Sequence, residues 1–215
     1  SETTKHDVMK FYRVPDQKIY VTYEGSDSIS DKNLKKPDLP VSPERYFLYV
    51  GNAYPHKNVE RLLDVFKRIN SDTKLVLVGQ DNYFYAKLKE KVTNEAIERV
   101  IFAGHISDEE LFWLYKHAIA LVFPSFAEGF GLRALEAMSM GTPILASNIP
   151  VFKELFKDIP EYFDPYSTSD IKKSLEKVLD ESFAKKIEKG QKLATSFSWE
   201  KMVKETVKIY ESAMK

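Results

Sequence analysis

Short apolar runs recur along the middle of the chain. Each run is rich in β-branched and aromatic residues and is followed directly by Gly, Pro or Ser, a pattern typical of buried strands. The runs cover residues 46–50, 74–78, 99–103, 119–123 and 143–146. The pattern therefore predicts five strands.

Between these runs, apolar residues follow the spacing of amphipathic helices. The clearest sets are Val59, Leu62, Leu63 and Phe66; Leu111, Leu114, Tyr115 and Ala118; and Leu132, Leu135, Glu136 and Met140. Helix starts are indicated by Asn58, by a capping box that begins at Ser107, and by Ser198. Because strands and helices alternate, an α/β fold is predicted, with a parallel sheet covered by helices on both faces.

The segment before the first strand has a different character. Residues 1–25 predict one helix, over 5–12, and one strand, over 18–23, which is too little to bury a core alone. Residues 28–43 are polar and proline-rich without a period, which predicts a linker. The linker is expected to follow a separate unit of structure.

The last segment is predicted to be helical throughout, over residues 169–215. Its final part has one apolar face at helical spacing. The residues of that face are Trp199, Val203, Val207 and Tyr210.

Composition narrows the classes of function. Lys and Arg number 32 and Asp and Glu number 32, so no long-range field of one sign attracts nucleic acid or an anionic membrane. There is no cysteine, which excludes disulfides and cysteine nucleophiles and fits a cytoplasmic location. No apolar run approaches the roughly 18–20 residues of a membrane-spanning helix. One main domain is expected, with no nucleic-acid partner.

The loop over residues 124–131 holds the strongest candidate site. In an open parallel sheet the ligand lies beyond the carboxyl ends of the strands, and this loop joins the fourth strand to a helix. Gly129 and Gly131 let the backbone approach a ligand, and the free N–H groups of the helix start suit a phosphate or a sugar hydroxyl. Glu128 and Glu136 could bind hydroxyls through charge-assisted hydrogen bonds. Alternatively, both acids are solvated and only favour the helix dipole.

Other loops after strands offer weaker candidates. Residues 51–58 match neither the G-x-G-x-x-G nor the Walker A pattern, but they place Lys57 at a strand-to-helix turn, where it could meet a phosphate. Gln80 follows the second strand, and His105 follows the third, where a planar base could pair with free backbone. The alternatives are that Lys57 is an ordinary surface lysine and His105 an ordinary loop histidine.

Several segments together carry a family resemblance. The segment Glu128-Gly-Phe-Gly-Leu-Arg-Ala-Leu-Glu136 has two glutamates separated by seven residues, and Met138-Ser-Met-Gly-Thr-Pro-Ile-Leu-Ala-Ser-Asn148 continues it. With residues 49–58, 102–111 and 162–165, they resemble the retaining GT-B glycosyltransferases of family 4, also called glycosyl transferases group 1. The resemblance covers nearly the whole chain and is strongest to mannosyltransferase-like members.

The resemblance implies a fold of two Rossmann-like domains, of which this chain is the C-terminal, donor-binding one. Residues 1–27 would be the tail end of the acceptor-side N-terminal domain, and 28–43 the linker. Residues 44–196 would form the Rossmann-like nucleotide-sugar-binding domain. Residues 197–215 would be a helix that crosses back towards the other domain.

The resemblance also implies roles for single residues. In relatives, the counterpart of Lys57 contacts the diphosphate, that of Glu128 approaches the donor sugar, and that of Glu136 binds the ribose hydroxyls. Lys57 and Glu128 are therefore the expected catalytic residues. The expected donor-binding residues are Glu136, Gly129, Phe130, Gly131, Leu132, Asn52, Gln80, and His105 and Ile106, whose backbone would face the base.

One departure from the family pattern concerns the diphosphate. Many relatives have arginine where this chain has Asn52, so the diphosphate loses one cation. Arg133 stands where relatives usually have proline and is one candidate to replace that cation.

The expected function is transfer of a hexose from a nucleotide-diphosphate sugar to a glycan or lipid-linked acceptor, with retention. GDP-mannose is the first candidate donor, and UDP-linked sugars are the second. The acceptor would bind through the N-terminal domain, and any membrane contact, in a protein peripheral to the membrane, would be made there. No cofactor or metal is expected, since the chain has no Asp-x-Asp motif to hold Mg²⁺ on a diphosphate.

Two alternatives stay open. The first is a catalytically incompetent nucleotide-sugar-binding module with a regulatory or assembly role, which Asn52 favours. The second and weaker one is an epimerase or phosphorylase relative, although no motif identifies the pyridoxal lysine that a phosphorylase would need.

Overall fold

The computed structural model describes residues 1–27, 31–43 and 45–214. Six strands lie within these ranges: β1 Tyr46–Val50, β2 Lys74–Val78, β3 Val100–Gly104, β4 Ala120–Phe123, β5 Ile144–Ser147 and β6 Glu161–Phe163. They form one sheet in the order β3-β2-β1-β4-β5-β6, and every neighbouring pair is parallel. This order is that of the Rossmann fold.

Nine α-helices connect and flank these strands in the described part of the chain. They are α1 Glu2–Tyr12, α2 Val59–Phe66, α3 Tyr83–Asn94, α4 Asp108–His117, α5 Leu132–Ser139, α6 Pro150–Phe156, α7 Thr168–Asp180, α8 Ala184–Ala194 and α9 Trp199–Ala213. At the start of α4, Ser107 and Glu110 form the predicted capping box. The Ser198 side chain caps α9, also as predicted.

The sheet is covered on both faces, as the sequence predicts. Successive side chains of β1 point in opposite directions, so Phe47 and Tyr49 face one way and Leu48 the other. Phe47 and Tyr49 pack with apolar residues of α2, α3 and α7. Leu48 packs in a second cluster with residues of α4, α5 and α6. All three β1 side chains are at most 2% exposed. The α/β, Rossmann-like fold is therefore confirmed.

The strand predictions need small corrections. The runs predicted at 99–103, 119–123 and 143–146 become strands over 100–104, 120–123 and 144–147. The sixth strand, β6, was missed because its three residues are too few to show a pattern.

The strand predicted over 18–23 is wrong. The segment has the alternating pattern of a strand, and the backbone of Ile19 is extended. However, residues 19–27 pair with no strand of the described chain. The Tyr23 ring instead packs near Phe130 and Phe197, with centroid distances of 6.0 Å to each.

The prediction of continuous helix over 169–215 is also wrong. Extended residues interrupt it at Glu181, after α7, and at Ser198, before α9. Ser182 and Ser198 lie at these two breaks, where their hydroxyls accept hydrogen bonds from the N–H groups of the following helices. Such local bonds compete with a continuous helix.

Parts of the predicted domain division lie outside the described residues. These are 28–30 of the linker, residue 44 at the predicted start of the central domain, and residue 215 at the end of the last helix.

Helix α1 is fixed to the domain by Glu154 of α6, whose carboxylate accepts hydrogen bonds from the N–H groups of Glu2 and Thr3, both at 2.8 Å. The hydroxyl of Tyr23 donates to the same carboxylate at 3.0 Å.

Candidate functional site

The strand order creates a cleft between β1 and β4. From β1 the chain passes outward to β2 and β3, and then returns to the other side of β1 to form β4. The loops that leave the carboxyl ends of β1 and β4 therefore run to opposite sides, and ligands of open α/β sheets bind at such a point. Residues 51–58 follow β1, and residues 124–131 follow β4.

Hydrogen bonds fix these two loops to each other. The N–H of Phe126 donates to the carbonyl of His56 at 2.8 Å. The side-chain amide of Asn58 donates to the carbonyls of Pro124 and Pro165, both at 2.9 Å. Asn58 has a left-handed backbone, with φ of 57°, and stands at the N-cap of α2 without the predicted side-chain cap bond. Its amide joins three loops instead of capping the helix.

The structure brings the two predicted catalytic residues into contact. Lys57 Nζ lies 2.7 Å from Glu128 Oε1, and both side chains are largely buried, with 18% and 9% exposure. The hydroxyl of Ser125 donates to the same oxygen at 2.7 Å. The pair lines a small cavity of about 120 Å³, together with Asn52, Gly131 and other residues of the two loops.

The two glycines of the second loop have different environments. Gly131 has φ of +112°, and a Cβ there would lie 3.0 Å from ring atoms of both Phe152 and Phe156. A side chain at this position would therefore meet both strain and a packed core. A Cβ at Gly129 would meet open space. Its carbonyl accepts a hydrogen bond from the hydroxyl of Ser1, at 3.0 Å.

The backbone at the start of α5 is available for a ligand. Within the described chain, no hydrogen bond is seen from the N–H groups of Gly129, Phe130, Gly131 or Leu132. The Phe130 side chain is buried, with its ring 5.7 Å from that of Phe197, so only its backbone is free. Leu132, the first residue of α5, lines the small cavity. A helix start with free N–H groups favours an anion.

Glu136, the second predicted acid, lies beneath the surface. It is 3% exposed, and its Oε2 accepts from the hydroxyl of Tyr115 at 2.9 Å. Arg133 Nη1 lies 2.9 Å from both carboxylate oxygens. The pKa of Tyr115 is raised well above its usual range by burial and then by the charge of Glu136, so the phenol is a neutral donor. Arg133, rather than Glu136, lines the small cavity.

The other predicted donor-binding residues lie at the same sheet edge. Asn52 is exposed, and its side-chain oxygen accepts from the N–H of Tyr54 at 3.3 Å. Gln80 and His105 are exposed beyond β2 and β3, which lie about 5 and 10 Å from β1 at the usual strand spacing. Ile106 packs against the core. In the described structure, no hydrogen bond joins Gln80 or His105 to Lys57 or Glu128.

Sequence reasoning missed two partners of the acids. Ser125 precedes Glu128 by three residues, and this short spacing was the sequence feature that could have indicated their hydrogen bond. Tyr115 was expected only to pack, and it is fully buried, but its hydroxyl also holds Glu136. Tyr115 and Glu136 are 21 positions apart, so no local sequence pattern indicates that they are in contact.

A larger groove of about 470 Å³ lies on the outer side of the first loop. Its walls include the rings of Tyr54, Phe84 and Phe126, and charged side chains of α2. Neither Lys57 nor Glu128 lines it. The small cavity is the better candidate site despite its size, because it is lined by Lys57, Glu128 and the start of α5, whereas the larger groove is not.

The described residues contain no cluster of three or more His, Asp or Glu side chains that could hold a metal ion. The predicted independence from metal stays a prediction.

Comparison with known proteins identifies the family. The profile described as glycosyl transferases group 1 matches residues 30–195. The chain belongs to this glycosyltransferase family. Its fold and its predicted motifs agree with that membership.

Two curated proteins are similar to this chain in sequence. The O-antigen chain mannosyltransferase RfbU of Salmonella typhimurium is 37% identical over 166 residues, which are 77% of this chain and 45% of RfbU. The O-antigen chain mannosyltransferase B of Escherichia coli is 30% identical over 227 residues, covering 98% of this chain and 59% of that protein. This glycosyltransferase chain thus spans about half the length of these relatives.

Solved structures show the same fold at low sequence identity. Anabaena Alr3699/HepE, in complex with UDP and glucose, has a TM-score of 0.86 at 19% identity, over 99% of this chain and 61% of that one. A glycosyltransferase from Rickettsia africae ESF-5 has a TM-score of 0.82 at 20% identity, over 100% and 62% of the two chains. Across the described ranges of this glycosyltransferase chain, no helix is long and apolar enough to cross a membrane.

Proposed function

We propose that this chain is the donor-binding domain of a glycosyltransferase that transfers a hexose from a nucleotide-diphosphate sugar to a glycan or lipid-linked acceptor. The observation that carries the proposal is the contact of Lys57 with Glu128 beside the free N–H groups of α5. This arrangement places a cation and backbone donors next to an acid that can bind sugar hydroxyls. GDP-mannose is the first candidate donor, supported by the mannosyltransferase names of two relatives. UDP-glucose is the second, supported by the UDP and glucose bound in Anabaena HepE.

The proposed reaction breaks the bond between the sugar C1 and a diphosphate oxygen, and the electron pair leaves with the diphosphate. The acceptor hydroxyl oxygen forms the new bond to C1, with retention, and its proton passes to the departing diphosphate oxygen. Negative charge grows on the diphosphate as the bond breaks. Lys57 and the N–H groups of Gly129 to Leu132 would stabilise that charge. Glu128 would hold the donor sugar, and the backbone at His105 and Ile106 would face the base.

The domain division forms part of the proposal. Residues 44–196 would bind the donor, residues 1–27 would belong to the acceptor-side domain, and 197–215 would return to it. The aromatic and aliphatic side chains along α9 support this, since Trp199, Val203, Val207 and Tyr210 are 40–65% exposed. The acceptor would bind through the acceptor-side domain of a longer protein.

The proposed location of the protein is the cytoplasm. A cytoplasmic location fits a chain without cysteine.

A non-catalytic nucleotide-sugar-binding module is the second candidate function. Asn52 favours this second function. It lines the same cavity as Lys57, and as a neutral residue it attracts a diphosphate less strongly than the arginine of many relatives would. Replacing Asn52 by arginine separates the two. A weak remnant of a site should gain affinity for a nucleoside diphosphate, whereas a competent site should change little.

The donor-binding proposal is tested by calorimetric titration of the 215-residue chain with GDP, UDP and ADP. We expect one of them to bind with a 1:1 stoichiometry. Lys57→Ala should weaken this binding about tenfold or more, because a charge-assisted contact to phosphate is lost. Lys67→Ala, which removes an exposed lysine just after α2 that pairs with Glu95, is the matched control. Absence of binding by all three nucleotides would reject the proposal, and transfer assays on the longer protein would then test catalysis separately.

A further inference from the structure

Arg133 occupies an unusual position in the small cavity. It lies one helical turn before Glu136, and its side chain is 44% exposed while that of Glu136 is 3% exposed. The hydrogen bonds seen from Arg133 within the described chain use Nη1 alone, although a guanidinium has five N–H donors. Burial acts to lower the pKa of Arg133, but the hydrogen bond and charge of Glu136 outweigh it and raise that pKa.

The same contact limits what Glu136 can do. Oε1 is held by Arg133, and Oε2 is held by both Arg133 and Tyr115. A ligand hydroxyl can reach this carboxylate only when the guanidinium moves aside. Leaving a buried carboxylate without its cation is strongly unfavourable unless other donors replace it. Arg133 can therefore leave Glu136 only when hydroxyls take its place.

Few cationic side chains of the described residues line the small cavity. Its lining contains Lys57, Arg133 and the neutral Asn52. Lys57 is already paired with Glu128 at 2.7 Å. Arg133 is thus the cation with exposed, unused donors, and its planar fork suits phosphate oxygens.

We propose that Arg133 changes its partner when a ligand binds. Without ligand it pairs with Glu136. When a nucleoside diphosphate binds, Arg133 turns to the diphosphate, and Glu136 becomes free to bind the ribose hydroxyls. The inference rests on the proposed function. It couples the two ends of the nucleotide, because a ligand must supply phosphate for Arg133 and hydroxyls for Glu136. A nucleoside without phosphates leaves Arg133 in place and gains nothing from Glu136.

The test compares GDP with guanosine, and UDP with uridine, by titration of the 215-residue chain. Arg133→Gln keeps a hydrogen-bond donor near Glu136 but removes the charge. We expect it to weaken diphosphate binding by about tenfold to a hundredfold and not to weaken nucleoside binding, because no guanidinium then stands between the ligand hydroxyls and Glu136. The double variant Arg133→Gln with Asn52→Arg should recover most of the diphosphate affinity, because the second arginine enters the same cavity. Arg68→Gln, an exposed arginine just after α2, is the matched control.

Three results would overturn the inference. Equal weakening of diphosphate and nucleoside, without recovery by Asn52→Arg, would show that Arg133 only supports Glu136. Unchanged diphosphate affinity in Arg133→Gln would show that Arg133 does not contact the phosphates. Absence of binding by every nucleoside diphosphate in wild type would reject the proposed function together with this inference, whereas the first two results leave the proposed function standing. Thermal unfolding of each variant confirms that it is folded.

Discussion

At the residue scale, Lys57 and Glu128 neutralise each other, so the two charges should have opposite effects on an anionic ligand. Lys57→Met removes a cation from the proposed diphosphate position and should weaken nucleoside diphosphate binding about tenfold or more. Glu128→Gln removes a nearby negative charge and frees Lys57, so it should tighten the same binding a few-fold. Titration with GDP and UDP measures both effects. If both variants weaken binding equally, the pair is only structural.

The two glycines of the loop before α5 allow a matched stability test. Gly131→Ala introduces a Cβ at φ of +112° and 3.0 Å from Phe152 and Phe156 ring atoms. Backbone strain and overpacking each cost about 1–3 kcal/mol, so the free energy of unfolding should fall by about 2–6 kcal/mol. Urea denaturation measures this difference.

Gly129→Ala is the control, because its Cβ would meet open space. It should change the free energy of unfolding by about 1 kcal/mol or less. Equal effects at Gly129 and Gly131 would contradict the role given to the Phe152 and Phe156 rings.

Single residues also show where sequence reasoning ends. The family resemblance selected Lys57 and Glu128, and the structure brings them together, while their catalytic role stays a prediction. The pairing of Glu136 with Arg133 has the three-residue spacing of helical neighbours, yet the sequence does not give the direction of a side chain. The bond from Tyr115 to Glu136 depends on how α4 packs beside α5, a tertiary contact without a local signature.

At the scale of elements, the predictions succeed where the pattern is long and buried. The strands β1 and β2 agree with the prediction residue by residue, because each is a run of five apolar or half-buried positions bounded by turn residues. The segment over 18–23 has a strand-like alternation, but a strand also needs a neighbour with free backbone. That neighbour is a property of the whole fold, which a local pattern does not contain.

The contact of α1 with Glu154 gives a pH-dependent prediction. Hydrogen bonds from Thr3, Glu2 and Tyr23 outweigh the effect of burial and lower the pKa of Glu154 below its ordinary value of 4.5. A lowered folded pKa means that this stabilisation is complete above the unfolded pKa and is lost as pH falls through the folded pKa. Tyr23 stays protonated throughout, since its pKa is raised to about 12 by burial and by Glu154.

The expected result is that α1 loosens from the domain in acid. Amide signals of α1 followed by NMR should keep their neutral positions down to the ordinary glutamate pKa of 4.5 and move only at lower pH. Glu154→Gln should loosen α1 already at pH 7 and remove most of this pH dependence. Glu188→Gln, which breaks an exposed pair with Lys192 on α8, is the control and should leave α1 unchanged. Attachment of α1 that is equal in Glu154→Gln and wild type would contradict the prediction.

At the scale of the whole molecule, the position of the site follows from topology. Alternation of strands and helices predicts a parallel sheet, but it does not give the order of the strands. The order places β4 beside β1, and this adjacency brings the loops at 51–58 and 124–131 together. The family resemblance implied a Rossmann-like fold, and that fold has this strand order. The periodicity of the chain alone does not imply it.

Helix α9 is the longest helix of the described chain, with 15 residues, and none of its residues is buried. Val203 and Val207 are 51% and 45% exposed, so replacing both by serine removes little apolar contact within this chain. The double variant should change the free energy of unfolding by no more than about 1 kcal/mol. Val122→Ser, in the fully buried strand β4, should instead cost several kcal/mol, because it leaves both a cavity and a buried hydroxyl. Urea denaturation compares the two variants. A large loss in the α9 variant would show that its apolar face packs within this chain rather than against the proposed acceptor-side domain.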